Sequence, residues 1–367
     1  MSEQKDAYAL DKLASHPEVL KDLRGGGGGR LLSVHLMPQN VCNQRCSFCS
    51  YRLPDNKNSE HFNESMAIPL DDMRALLDDF KEMGVLGVEV TGGGEPLAYP
   101  WSVDLWRMLF NRGFATGLVT NGTLLRDNAA LINSSAKWIR VSIDSADRDT
   151  YTKMRQCSDS HYDKAWRAVT EFRDCAPSDP EFRLGTGFVL CNENMGQIYE
   201  FVKMAKEHGA DNVRLTSAFS DQHLSFYEEE ALLPQQVEDS IKAQQDFEDD
   251  SFKVHNLIPT RLWETDHPTQ DYKWCVVKDL LCVVEGECKV YTCCTFTGTL
   301  KGLYGKFTEH PGGFKGLWEE KAEWRKSIDA SKYCTVSCLY RGRNLAMNKL
   351  IESGETPSVS QVHREFI

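Results

Sequence analysis

The sequence predicts an α/β protein whose main body is a parallel sheet with helices outside it, followed by a smaller hairpin-plus-helix unit. Three observations carry this. Short β-rich runs alternate six times with amphipathic helical patterns between residues 31 and 216. Glycine follows several helical stripes at the point where a helix stops. The alternation ends near residue 220, and a cysteine-bearing hairpin pattern follows it. Six units are too few for the eightfold barrel, so the expectation is a partial (β/α)6 TIM-like barrel.

The elements follow in order. "RGGGGGR" (24–30) reads as a flexible hinge after a short N-terminal helix-like segment, because a strand rather than a helix follows the glycines. Strand runs lie at 31–37, 86–91, 114–120, 138–143, 184–190 and 212–216. Between them, Met73, Leu76, Leu77, Phe80 and Met83 recur at helical spacing, with Gly84 beyond. Leu105, Trp106, Leu109 and Phe110 do the same before Gly113. Further stripes run through Ala165, Trp166, Val169 and Phe172, and through Ile198, Phe201, Val202 and Ala205 before Gly209. Residues 221–253 read as an acidic, glutamine-rich helix and connector. A hairpin over 276–293 turns at Glu285-Gly286-Glu287, and a Trp-rich helix spans 316–328. The expected organisation is 1–30 segment and hinge, 31–235 partial barrel, 236–270 connector, 271–345 cysteine-bearing unit and 346–367 a polar tail, docked or loose.

The chain has 367 residues, 41% hydrophobic and 26% charged, an ordinary globular composition. Its net charge of −12 argues against a general nucleic-acid binder, which would show a basic stripe. No window reaches the roughly 18 consecutive apolar residues of a membrane span. The first residues lack a basic region followed by an apolar core, so the cytoplasm is the expected compartment.

There the 13 cysteines point to metal or redox chemistry rather than disulfides. Cys42, Cys46 and Cys49 sit in "NVCNQRCSFCSYR", directly after the first strand, where β/α proteins carry their active sites. Three readings compete. A structural zinc wants four protein ligands, and none follows until His61. Inert thiols need no such spacing. An iron–sulfur cluster held by three cysteines leaves one iron open.

"CNQRCSFC" resembles the Cys-x-x-x-Cys-x-aromatic-Cys signature of radical S-adenosylmethionine (SAM) enzymes. The resemblance implies a [4Fe–4S] cluster whose fourth iron chelates SAM, and cleavage of SAM to a 5′-deoxyadenosyl radical that takes a hydrogen atom from substrate. "TGGGEP" (91–96) stands where this family places its Gly-Gly-Glu motif; Gly93 and Gly94 would bring backbone close to SAM and Glu95 would pair with its ammonium. By the same resemblance Asn121 of "TNG", Ser142 and Asp144 of "VSIDSAD", and Arg155 of "YTKMR" are candidates for the ribose and carboxylate of SAM, and Phe48 for packing near adenine. Asn194 is a further candidate. Alone, these residues read equally well as a glycine turn, a strand-end turn, an ion pair and loop packing.

Cys275, Cys293 or Cys294, Cys334 and Cys338 form a second plausible four-ligand set, and the segments around them resemble the auxiliary-cluster domain of the SPASM/Twitch subgroup. No further cysteine follows Cys338, which suits the Twitch form with one auxiliary [4Fe–4S] cluster; zinc is the alternative. Cys282 and Cys288 read as spare core thiols. Cys191, after the fifth strand, is a candidate hydrogen donor or a buried free cysteine. A four-cysteine cluster can accept an electron, so the resemblance points to an oxidoreductase acting on a small polar metabolite, of the Twitch-type dehydrogenase kind that oxidises an aminocyclitol alcohol. The alternatives are crosslinking or epimerisation of a ribosomal peptide, for which 1–30 is short as a recognition domain, and a non-catalytic metal scaffold. The expected electron donor is a flavodoxin or ferredoxin, with no nucleic-acid or membrane partner.

Overall fold

The computed structural model describes residues 8–53, 56–133, 135–220, 223–335, 337–355 and 361–367. Among the described residues ten strands form one sheet: β1 (Ser33–Leu36), β2 (Gly87–Val90), β3 (Ala115–Thr120), β4 (Ala136–Ser142), β5 (Arg183–Leu190), β6 (Asn212–Ser217), β7 (Lys253–Asn256), β8 (Leu281–Val284), β9 (Lys289–Tyr291) and β10 (Leu303–Lys306). Their order is β10-β9-β8-β1-β2-β3-β4-β5-β6-β7. β1 to β7 are parallel in sequence order, as short crossovers through helices require.

Alternation divides the strands between two faces. Val34, Leu36, Val88, Val90, Leu118, Ile139, Val141, Val213 and Leu215 are buried in one core with the outer helices. Their neighbours His35, Glu89, Gly117, Arg140, Ser142 and Arg214 occupy the inner face. The helix Leu70–Glu82 places Met73, Leu76, Leu77 and Phe80 in that core, and Gly84, Gly113 and Gly209 follow their helices with positive φ. Phe80 also meets Phe314 edge-on at 4.9 Å, on the helix Gly313–Glu320 of the C-terminal unit. Phe80→Ala empties a fully buried site at this junction, and urea unfolding is expected to show a loss of about 3–5 kcal/mol.

Four expectations need correction. The alternation does not stop at 220: β7 lies inside 236–270, pairing Arg214 with His255, so this span is a further unit rather than a connector. The hairpin begins later, since Val277–Leu280 is a helical turn, and β8 runs parallel to β1 as a continuation of the barrel sheet. The Trp-rich helix is two, Gly313–Glu320 and Ala322–Ser327. The glycine run is held rather than loose, because Asp22 accepts from Gly27 N at 2.9 Å through its carbonyl and from Gly29 N at 3.1 Å through its carboxylate.

Of the predicted tail, residues through Ser353 belong to the helix Arg341–Ser353. Val362, Phe366 and Ile367 are buried at the end. Ile367 N donates to Ser33 Oγ at 3.3 Å and Phe366 meets Trp138 edge-on, so the terminus covers the end of the sheet where the parallel strands begin. Among the described residues no helix is long and apolar enough to cross a membrane.

Candidate metal and cofactor site

The cysteine loop leaves β1 at the C-terminal end of the sheet. It is pinned to the helix Arg148–Arg155 by backbone bonds from Arg45 N to Arg155 O at 3.0 Å and from Ser47 N to Met154 O at 2.7 Å. Ser47 Oγ donates to Glu193 Oε1 at 2.6 Å on the far side. Arg52, which the sequence did not single out, closes the loop. Its guanidinium donates to Gly93 O at 2.8 Å, Asn40 O at 2.7 Å and Glu64 Oε2 at 2.8 Å, and lies 3.6 Å from Cys49 Sγ.

The glycine–glutamate loop sits against the same segment. Glu95 N donates to Val41 O at 2.9 Å. A Cβ on Gly94 would stand 2.0 Å from Val41 O and one on Gly93 2.1 Å from the Phe62 ring, so only glycine allows this approach. Glu95 is buried, and its carboxylate accepts from Leu97 N, Thr120 Oγ1 and Asn121 N at 2.6–3.1 Å. Burial pushes its pKa up, against these hydrogen bonds. Three of its roughly four acceptor positions are used within the protein. Asn121 passes the connection on, donating to Asn43 Oδ1 at 2.7 Å.

Asp144 and Arg155 are each other's partners, both almost fully buried. Asp144 stands at φ 65° and accepts from Val189 N at 2.8 Å. Arg155 also donates to Gln44 Oε1 at 2.6 Å and Ile143 O at 3.2 Å. Burial is the largest influence on both. It pushes the Asp144 carboxyl up; on Arg155 it is outweighed by Asp144 and Cys46, which hold the guanidinium protonated. Asn194 is fully buried and spends both amide hydrogens on backbone, to Asp144 O and Val189 O at 2.8 Å. It props the Asp144 turn and keeps no donor for a ligand. Ser142 is half-buried on the inner face. Phe48 packs with Met154, Cys191 and Ala218 in a small apolar cluster, where Cys191 is fully buried.

The donor set fits an anionic cluster. Burial pushes the Cys42 thiol up and Cys46 up to about 12, while Arg52 and Arg155 respectively pull them back. Two guanidiniums therefore face the thiolates that iron would require. Among the described residues no three His, Cys, Asp or Glu side chains converge as a single metal ion demands. A cluster places its thiolates on separate irons and makes no such demand.

Residues 36–205 match the family described as Radical SAM superfamily. The match takes in the end of β1, the first cysteine loop and the strands from β2 to β5. It is similar to a GTP 3′,8-cyclase of Erythrobacter litoralis, 31% identical over 133 residues, covering 35% of this chain and 38% of that protein. It is also similar to an S-adenosylmethionine-dependent nucleotide dehydratase of Flammeovirga pacifica, 25% identical over 192 residues, 49% of this chain and 61% of that one. The chain thus spans less than two thirds of either relative. The fold resembles that of Streptococcus suis SuiB bound to S-adenosylmethionine, with a TM-score of 0.60 at 17% identity, over 85% of this chain and 73% of SuiB. SuiB has also been solved bound to its precursor peptide SuiA.

Beyond the matched residues, the second cysteine group lies at the other end of the β1–β8–β9 ladder. Cys275 precedes β8, Cys293 follows the antiparallel β9, and Cys334 and Cys338 come from the loop after the Trp-rich helices. Burial pushes Cys275 and Cys334 up to about 12, and the Cys293 thiol well above its ordinary value. Cys293 feels its neighbour Cys294 first, and then Cys275, Cys334 and Cys338. Cys294 turns instead to Tyr340, donating to its hydroxyl at 3.4 Å. Three supports here escaped the sequence. Asn344 Nδ2 lies 3.5 Å from Cys275 Sγ, Tyr272 Oη 3.5 Å from Cys338 Sγ, and Arg261 donates to Cys338 O at 2.7 Å. An asparagine inside a helix carries no local mark of such a contact. Tyr51 and Cys294 share an apolar cluster with Met37, Val283 and Tyr291, along the ladder between the two groups.

Proposed function

We propose that this chain is a radical SAM oxidoreductase that removes two electrons from a C–H centre of a small polar metabolite, of the sugar or cyclitol alcohol type. The observation that carries the reading is the three-thiol loop at the C-terminal end of a parallel sheet, flanked by two arginines, with four more cysteines gathered at the far end of the same ladder. A [4Fe–4S] cluster with bound SAM supplies one-electron cleavage of the S–C5′ bond and hydrogen-atom abstraction.

Cys42, Cys46 and Cys49 would ligate that cluster. Gly93 and Gly94 bring backbone to it, Glu95 keeps one acceptor position for an ammonium, and Ser142 offers a hydroxyl from the inner face. Arg155 has donors left beyond Asp144, Ile143 and Gln44. Asp144, Asn121 and Asn194 serve by holding these loops together, and Phe48 gives an apolar wall. Cys275, Cys293, Cys334 and Cys338 would hold a second [4Fe–4S] cluster. Oxidation of an alcohol to a ketone releases a hydrogen atom, a proton and an electron, and the second cluster is the class of group that accepts the electron before a flavodoxin or ferredoxin.

A second reading, modification of a ribosomally made peptide, is supported by the breadth of the SuiB likeness, 85% of this chain; that likeness is one of fold. Anaerobically reconstituted protein with dithionite is expected to release 5′-deoxyadenosine from SAM. Intact SAM would overturn the reading in favour of a metal-binding scaffold. One SAM consumed per ketone formed supports the oxidase; solvent hydrogen in an unoxidised peptide supports the second reading.

A further inference from the structure

We propose that the inner face of the barrel is an oxyanion-binding site built by Arg140, Arg214 and Arg343, so that the substrate enters with a phosphate or carboxylate group. This rests on the proposed reaction for its place in catalysis, but on the side chains alone for its chemistry.

Arg140 and Arg214 project inward because their neighbours Ile139, Val141, Val213 and Leu215 face the outer helices. β5 lies between them and presents Gly185 opposite Arg140 and Gly187 opposite Arg214. A Cβ on Gly187 would stand 3.6 Å from Arg140 Cδ, so the arginine stem lies across a strand that puts nothing in its way. Arg343 enters from the helix Arg341–Ser353, beside the Tyr340 ring at 5.8 Å, and Tyr340 in turn lies 6.3 Å from the ring of His35.

Among the described residues none of the three guanidiniums has a hydrogen-bond or ion-pair partner. Of the acids near them among the described residues, Glu89 is 3.3 Å from His35 Nε2, and Asp144, which feels the Arg140 charge, is paired with Arg155. Burial, then the Arg140 charge, lowers Arg214 to about 9, and Arg343 and Arg261 add to the effect. In a chain of net charge −12 such a concentration of unpaired cations is no background feature. Like charges crowded out of water are costly, and a bound anion removes the cost. Guanidinium forks match planar or tetrahedral oxyanions bidentately, and a low-dielectric cleft concentrates them. Arg140 lies two residues, about 7 Å, before Ser142 on the same face of β4. The anionic group therefore sits deep, and the rest of the substrate points toward the strand ends where the cysteine loop lies.

The test is calorimetric titration of the SAM-loaded holoprotein, without reductant, using inorganic phosphate, pyrophosphate and succinate. One equivalent of an anion is expected to bind, weakened about tenfold or more in Arg140→Gln and Arg214→Gln and largely restored in Arg214→Lys. Tighter pyrophosphate binding assigns a phosphorylated substrate, and tighter succinate binding a carboxylate; either supports the site. No binding at millimolar concentration, or equal binding by the glutamine variants, overturns it. Should the variants not fold, phenylglyoxal labelling of the wild type decides: the bound anion must shield Arg140 and Arg214, and labelling that ignores it overturns the proposal. Because no reductant is present, the titration can succeed where 5′-deoxyadenosine formation fails, or the reverse.

Discussion

Cys46→Ala is expected to abolish 5′-deoxyadenosine formation, by at least about 10³-fold, which corresponds to about 4 kcal/mol of barrier. The proposed function gives the reason. Three thiolates hold the SAM-binding cluster, and removing one leaves no stable site, so reconstituted iron should fall from roughly eight to roughly four per chain. Cys46 suits this test because its loop is fixed independently of the thiol. Arg45 and Ser47 on either side donate backbone hydrogen bonds to the helix Arg148–Arg155, and Arg52 anchors the loop's far end on Gly93 and Asn40. Arg155 keeps Asp144, Gln44 and Ile143 when the thiol is lost, so no unpaired buried cation is created. The loss should therefore be chemical rather than structural, with the unfolding midpoint near that of the apo wild type. Cys175→Ala, at an exposed free cysteine, is the control and should leave iron and product unchanged. A Cys46→Ala protein with full iron and undiminished product would remove the loop from the chemistry.

Local pattern carried the barrel because its signals are local. Six strand runs were visible as β-rich segments closed by glycine-ended amphipathic helices, and the observed strands fall on them. β7 was not, since "KVHN" is four residues long with one buried position and no alternation to read. Nor could pattern place β8 beside β1, because pairing across some 250 residues is decided by tertiary packing. The cysteine groups were legible because their clustering and spacing are local features of the sequence. Side-chain partnerships were not. Asp144, Arg155 and Asn194 each read as a ligand group from sequence, yet the fold makes the first two a buried pair and spends the Asn194 amide on backbone. Arg140 and Arg214 alternate correctly for the inner face, but a charged residue in a strand reads as solvent-facing until the sheet curls around it.

The second large effect separates two adjacent cysteines that the sequence left undecided. Cys293→Ala is expected to lower reconstituted iron from roughly eight to roughly four while 5′-deoxyadenosine formation persists, and Cys294→Ala to leave iron at its full value. The backbone at Cys293 is extended, with φ −164° and ψ 168°, so consecutive side chains leave on opposite sides. One side carries Cys293 toward Cys275, Cys334 and Cys338, whose charges all bear on it. The other carries Cys294 toward Tyr340 and the charge of Glu89 on the inner face, with Cys338 a smaller influence. On the proposed ligand sets, iron content and SAM cleavage would thus read different ends of the β1–β8–β9 ladder. Under the proposed function Cys293→Ala should uncouple them, cleaving SAM but yielding no oxidised product, because the electron left on the substrate radical has lost its acceptor. Loss of iron from Cys294→Ala, or its retention in Cys293→Ala, would reverse the assignment. Full oxidised product from an iron-depleted Cys293→Ala would remove the second cluster from the reaction altogether.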